Sequence, residues 1–432
     1  MVNYKKIKIE IILISFLVII FTNNLIDYNL KTQHDAALHH YPIFHILTFN
    51  FNEISTPYGI FYYLYVALFA PLSFPFLKLG ILNDRESFYL MVKLSNIVLY
   101  LLTIIYSIKI SKLIFGKKNF DYLLPVIFIF SISSLHRSFL MARPENLIIF
   151  LVLVSFVYLF KLLNEKKFSK KDEFVFCVIL FLIGSAKLNG FCYLLCLFFF
   201  LLIFNKKNFL ILKISIVVFL SIFFYYFLHS YISLMGIYDR PYGIEFDSPD
   251  YGLFKNGKDL SLFIKYSFIN SWNFPIKYNQ SDTMLNILAL DLYGDYYVYG
   301  IEKFRENLNL LNRKGLILSH IFFILYLVSI IVNTVNLKNI IKHNPLLLFF
   351  NLLVPAGLFL LIMFTIIEYY GEKNTTIKLE YINFFIIGSC YSITYFITKN
   401  KPQNFKKIII PSLIIYLIFC NLQLIPLDFK FF

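Results

Sequence analysis

Long uncharged apolar runs, separated by short knots of lysine, constrain this chain more than any other feature. Runs long enough to cross a bilayer, each needing about 20 residues, occur near 9–26, 88–111, 120–139, 146–163, 173–187, 189–204, 209–236, 315–337, 345–367, 381–398 and 407–425. A further run, 58–80, is broken by Pro71 and Pro75. The lysines decide how it is read, because cytoplasmic connections carry the excess of basic residues. Lys5, Lys6 and Lys8, Lys109 to Lys118, Lys161 to Lys171, Lys206 and Lys207, Lys338 and Lys342, and Lys399 to Lys407 fall on one side together if 58–80 does not cross. It then lies on the outer side as a re-entrant or interfacial helix. The expected fold class is an all-α polytopic membrane protein of about 11 transmembrane helices, N-terminus inside and C-terminus outside; 12 is the alternative if 58–80 crosses. Residues 1–432 read as a single domain, with a first outer loop at 27–87 and a large outer loop at 237–314.

Composition agrees. The chain is 59% hydrophobic and 15% charged, whereas soluble domains sit near half apolar and a quarter charged. Its formal net charge of +15 comes from lysines between apolar runs. No basic stripe interleaved with aromatics is present, so the bilayer and not nucleic acid is the expected partner. The five cysteines all fall inside apolar runs. Cys192 and Cys196 are four apart, but no His or Asp joins them, and they read as packing residues. The N-terminal segment MVNYKKIKIEIILISFLVIIF has no A-x-A cleavage site and reads as a retained first span. A composition rich in Ile, Lys, Asn and Phe points to an AT-rich bacterial genome and hence to the plasma membrane.

On this topology the polar residues gather outside, and ionisable groups at membrane depth are functional candidates. The stretch TQHDAALHHYP carries Asp35 and His39 just past the first span. Asp35 is placed to act as a general base, or alternatively to cap the helix that follows it. His39 shares a helical face with Asp35; it reads as an interfacial or substrate-binding histidine, because the spacing for a second helical ligand is missing and no metal is expected. In MARPENLIIFL, Pro144 and Glu145 suit a helix start, while Arg137 and Arg143 need anionic partners, a phosphate being one. Lys187 in GSAKLNG either snorkels to the interface or holds an anion. Lys378 and Tyr381 open the next-to-last span; Lys378 either holds a phosphate or pairs with Glu380 or Glu372. The large outer loop holds the single tryptophan, Trp272, and the segment LDLYGDYYVYG with Asp291 and Asp295. Its tyrosines suit either a membrane interface or stacking on sugar rings.

In order along the chain, Asp35, STPYGIFYYLYVALFAPL, ARPEN, GSAKLNGF, LDLYGDYYVYG and TTIKLEYI together resemble the motifs of the C-type (GT-C) membrane glycosyltransferases. That superfamily includes protein O-mannosyltransferases, the aminoarabinose lipid A transferase and lipopolysaccharide-core galacturonosyltransferases. The resemblance implies inverting transfer of a sugar from a polyprenyl-phosphate donor to a glycan or glycolipid acceptor of the cell envelope. It implies Asp35 as base and Lys378 as phosphate clamp, with Arg143 and Lys187 assisting. Two positions depart from the pattern. Ala36 stands where a second acid is common, a role Glu53 can supply, and Glu380 replaces an Arg. A lipid-borne donor fits the absence of a Gly-rich nucleotide loop, and no cofactor is expected. The rival readings are a polysaccharide polymerase, a flippase-like transporter and a structural scaffold.

Overall fold

The computed structural model describes residues 2–27, 36–49, 60–116, 120–164, 168–204, 208–234, 265–275, 283–294, 308–337, 340, 344–368 and 382–399. Among them there is no strand. The helices are α1 (Val2–Asp27), α2 (Ala36–Leu47), α3 (Ile60–Ala67), α4 (Ala70–Lys78), α5 (Asp84–Phe115), α6 (Leu124–Ser131), α7 (Ser133–Leu140) and α8 (Glu145–Asn164). They continue with α9 (Lys170–Ala186), α10 (Leu188–Phe204), α11 (Asn208–Leu234), α12 (Phe268–Asn273), α13 (Met284–Asp291), α14 (Leu308–Val335), α15 (Leu346–Glu368) and α16 (Asn383–Lys399). Three of these, α5, α8 and α14, are long and apolar enough to cross a membrane, and five spans result if each of two bent pairs counts as one.

Local chemistry sets several boundaries. Asn83 caps α5 by accepting from the Glu86 amide at 2.9 Å, and the Glu86 carboxylate accepts from the Asn83 amide at 3.1 Å. This reciprocal box satisfies two amides that a helix start leaves bare. The run 58–80 is two helices, α3 and α4, bent by 60°. Pro71 lies in the first turn of α4, where its missing N–H does no harm. The run 120–139, expected to be one span, is also broken: the stretch through α6 meets α7 at 64°. Ile132 at the break is extended, with φ −73° and ψ 112°. The amide of Ser133 donates instead to the Leu292 carbonyl at 3.0 Å, so a distant segment completes the turn.

Helix directions follow from contacts at both ends. Glu10 of α1 pairs with Lys112 of α5 at 2.6 Å, while Phe21 stacks on Tyr100 at 4.0 Å, so α1 and α5 are antiparallel. Asn96 with Asn146 and Tyr106 with Phe150 align α5 and α8 in parallel. Lys161–Asp172 at one end and Glu145–Lys187 at the other set α9 against α8. Lys213–Glu173 ties the start of α11 to that of α9 at 2.8 Å. Asn351 against Ser392, and Gly357 against Phe385, make α15 antiparallel to α16. The bundle therefore has a lysine-rich end, laced by ion pairs, and an opposite end. Between them Phe156 packs on Phe349, Phe350 and Tyr391 with ring centroids 4.8–6.5 Å apart. Such dense aromatic packing matters in lipid, where helices gain little from hydrophobic burial against one another. On α14 the exposed residues Ile317, Ile321, Ile324, Val328, Ile331 and Val335 recur every three or four positions and form one apolar stripe, with Leu310 on the same face beyond Lys314.

Candidate functional site

The end away from the lysines is polar and closed. All of α7 is buried, although five of its eight residues are Ser133, Ser134, His136, Arg137 and Ser138. Arg137 is 4% exposed and donates from Nη2 to the Asp291 carboxylate at 2.6 Å; Asp291 is 1% exposed. Arg137 also donates to the Gly294 carbonyl, so its guanidinium caps the last turn of α13, where a cation complements the helix dipole. This turn can approach because two glycines leave room. A Cβ on Gly315 of α14 would fall 2.8 Å from the Tyr293 carbonyl, and one on Gly294 would fall 2.6 Å from Asn312 Oδ1. The segment Asp291–Gly294 is thus clamped between the α6–α7 break and α14.

A second ionic group lies at the start of α8. Arg143 is 2% exposed, and Glu145, the first residue of α8, is fully buried. Glu145 Oε1 accepts from Lys187, the single extended residue between α9 and α10. Its other oxygen, Oε2, is buried and has no hydrogen-bond partner among the described residues. Tyr62 of α3 brings its hydroxyl beside the Arg143 backbone, within electrostatic reach of Arg143 and Glu145. Below them Asn146 accepts from Ser138 at 2.8 Å, and Asn96 donates to the Met141 carbonyl at 2.9 Å. Buried polar groups without partners are expensive, so this network fixes the loop that carries Arg143.

Of the residues singled out from sequence, the structure pairs Lys187 with Glu145 and buries Arg143 two residues earlier, with Tyr62 within electrostatic reach of both Arg143 and Glu145. Lys187 is 8% exposed and turned inward, so it does not snorkel. Asp291 sits in the separate pair with Arg137, which answers the expectation that Arg137 seeks an anion. Asp35, Glu53, Asp295, Lys378 and Tyr381, and the side chain of His39, lie outside the described residues. So do the run 407–425 and most of the loop 237–314. The helix α2 that carries His39 packs on α3. Asn383, two residues after Tyr381, accepts from Ser134 of α7 at 2.8 Å, so the start of α16 reaches the same polar end. Sequence reasoning missed Glu145 as the partner of Lys187, and it missed the network of Asn96, Ser138 and Asn146. The signal for part of it was the polar stretch SSLHRS inside an apolar run. Among the described residues, no three His, Cys, Asp or Glu side chains come together as a metal site would need.

No protein-family model matches the chain, and no curated protein or solved structure is significantly similar to it. What the fold and site define is a class: an all-helical chain whose long apolar helices point to membrane association, with buried ionic groups at one end of the bundle.

Proposed function

We propose that this chain is an inverting membrane glycosyltransferase that moves a sugar from a polyprenyl-phosphate donor to a cell-envelope glycan or glycolipid at the outer face. The observation that carries the reading is the buried Glu145–Lys187 pair, with the buried Arg143 two residues before Glu145, at the end opposite the lysines. Guanidinium and ammonium groups held out of water are suited to a phosphate leaving group, which departs without protonation when cations stabilise it. The Oε2 of Glu145, without a hydrogen-bond partner among the described residues, offers an acceptor to a sugar or acceptor hydroxyl. In this reading Asp35 is the base and Lys378 the principal phosphate contact, with His39, Glu53, Tyr381 and Asp295 around the substrate, while Asp291 serves in the pair with Arg137. The lysine-rich end is cytoplasmic, and the chain crosses eleven times. What supports eleven over twelve is that both α3 and α4 bond the first half of α5: Tyr65 donates to the Ser95 carbonyl at 2.9 Å, and Ser87 bonds Ser73 at 3.1 Å. A re-entrant pair stays on one side in this way.

The test is transfer of labelled sugar from defined polyprenyl-phosphate donors to envelope glycolipid by the purified chain in nanodiscs. A flippase-like transporter is the second reading, favoured by the two bent helix pairs, since broken helices build transporter sites. Movement of a lipid-linked sugar between leaflets, with no new glycosidic bond, would select it.

A further inference from the structure

The segment around Trp272 comprises α12 and the residues that flank it. It is short but firmly held. Ser267 donates its amide to Asn286 of α13 at 3.0 Å, Asn312 of α14 donates to the Pro275 carbonyl at 2.9 Å, and Arg313 Nε donates to the Trp272 carbonyl at 2.8 Å. Despite these ties it presents large apolar side chains outward: Phe268, Ile269, Trp272 and Phe274 are 36–69% exposed. Phe268 stacks on Trp272 at 5.8 Å and meets the His320 ring at 5.3 Å, which places the patch alongside the outer part of α14. There the apolar stripe of Ile317 and Ile321 continues downward, with Leu310 and Lys314 on the same face of the helix. Cations rim the patch. Lys265 and Lys314 are exposed, and Arg313 lies over the Trp272 ring at 5.6 Å. Among the described residues, none of the three makes an ion pair, and Arg313 directs only Nε to protein.

We propose that α12 and the first turns of α14 form a docking surface for anionic phospholipid headgroups at the outer edge of the bilayer. Phe268, Ile269, Trp272 and Phe274 enter the boundary between headgroups and acyl chains, and Lys265, Arg313 and Lys314 meet the phosphates. Three features combine to select a lipid surface over a soluble partner. The patch is continuous with the apolar stripe of a helix long enough to span, it carries Trp, Phe and Tyr of the kind that populate interfaces, and its charge is wholly positive among the described residues. This inference rests on membrane embedding and not on the sugar-transfer reading.

The single tryptophan makes a direct test. The full chain is placed in nanodiscs of phosphatidylcholine with or without phosphatidylglycerol, and Trp272 emission is followed. Bromine-labelled acyl chains near the headgroup should quench most of it, while aqueous iodide should quench little. Phosphatidylglycerol should be enriched in the lipid that co-purifies with the chain. Lys265→Gln and Lys314→Gln, at side chains that make no ion pair or hydrogen bond among the described residues, should each weaken the phosphatidylglycerol dependence of Trp272 quenching by bromolipid about fivefold while melting is unchanged. Quenching by iodide, or protection of Trp272 by a soluble oligosaccharide in place of lipid, overturns the proposal. So does bromolipid quenching without any preference for the anionic headgroup.

Discussion

Arg137 and Asp291, 154 positions apart, meet in a buried ion pair of 2.6 Å that fastens the end of α13 to the break between α6 and α7. Removing one partner strands the other charge where water does not reach, at a loss of about 3–5 kcal/mol. Arg137→Ala and Asp291→Ala should therefore each lower the melting temperature sharply in nanodiscs. The double variant Arg137→Met with Asp291→Leu should be far milder than the sum, and a double-mutant cycle measures the difference.

Glu145 and Lys187 are a second such pair, but here an acceptor oxygen has no hydrogen-bond partner among the described residues. Glu145→Gln keeps the shape and the hydrogen bond to Lys187 while removing the charge. It leaves the buried ammonium without its counter-charge, so it should lower the melting temperature, and on the proposed reading it should also change the KM for the polyprenyl-phosphate donor. Lys187→Ala should weaken folding by about 3–5 kcal/mol, which thermal melting registers before any transfer assay.

Gly315 has no room for a larger residue, because a Cβ there would lie 2.8 Å from the backbone of Tyr293 and Gly294. Gly315→Ala should destabilise by about 1–3 kcal/mol through overpacking. Gly315→Val should go further and expose the 291–294 segment to protease. Limited proteolysis of the two variants checks the order.

Asp35 is the residue on which the proposed chemistry turns. Asp35→Asn cannot take a proton from an attacking hydroxyl, so sugar transfer should fall by about 10²–10⁴-fold with expression and melting unchanged. Full activity in this variant would remove Asp35 as base.

At the lysine-rich end, Asp172 lies just ahead of its span. The Ser169 hydroxyl, which donates to it at 2.6 Å, and the Lys161 ammonium at 3.0 Å hold its carboxyl below the usual carboxylate range. A depressed folded value means that this stabilisation is present above the unfolded value of about 3.9 and is lost as pH falls through the folded one. Asp172→Asn should therefore melt below the wild-type chain at neutral pH, and the gap should close under more acidic conditions. A gap that persists there would show that the carboxylate charge is not its source.

Much of this architecture could be read from residues in line. Of the lysine knots, those at Lys112 and Lys161 do end up at one end of the bundle, as their one-sided placement requires. Pro71 announced the break in 58–80, whereas Pro75 lies within α4 and does not interrupt it. The break at Ile132 was invisible, since neither Pro nor Gly lies there and its cause is the carbonyl of Leu292 far along the chain. Arg143 and Lys187 stood out as costly charges in an oily chain. The partner of Lys187 did not, because Glu145 already had a sufficient local explanation at the first turn of α8, and Lys187 reaches it across 42 positions. Local chemistry marks which residues need an answer; only the packing of helices says which residue gives it.

The bond between Ser133 and Leu292 bears on how the chain is made. During synthesis at roughly 5–20 residues per second, the guanidinium of Arg137 waits roughly 8–30 s before Asp291 emerges. Over that interval the hairpin of α6 to α8 has its turn unsealed, so insertion of the early helices and closure of the polar end are separate events in biogenesis.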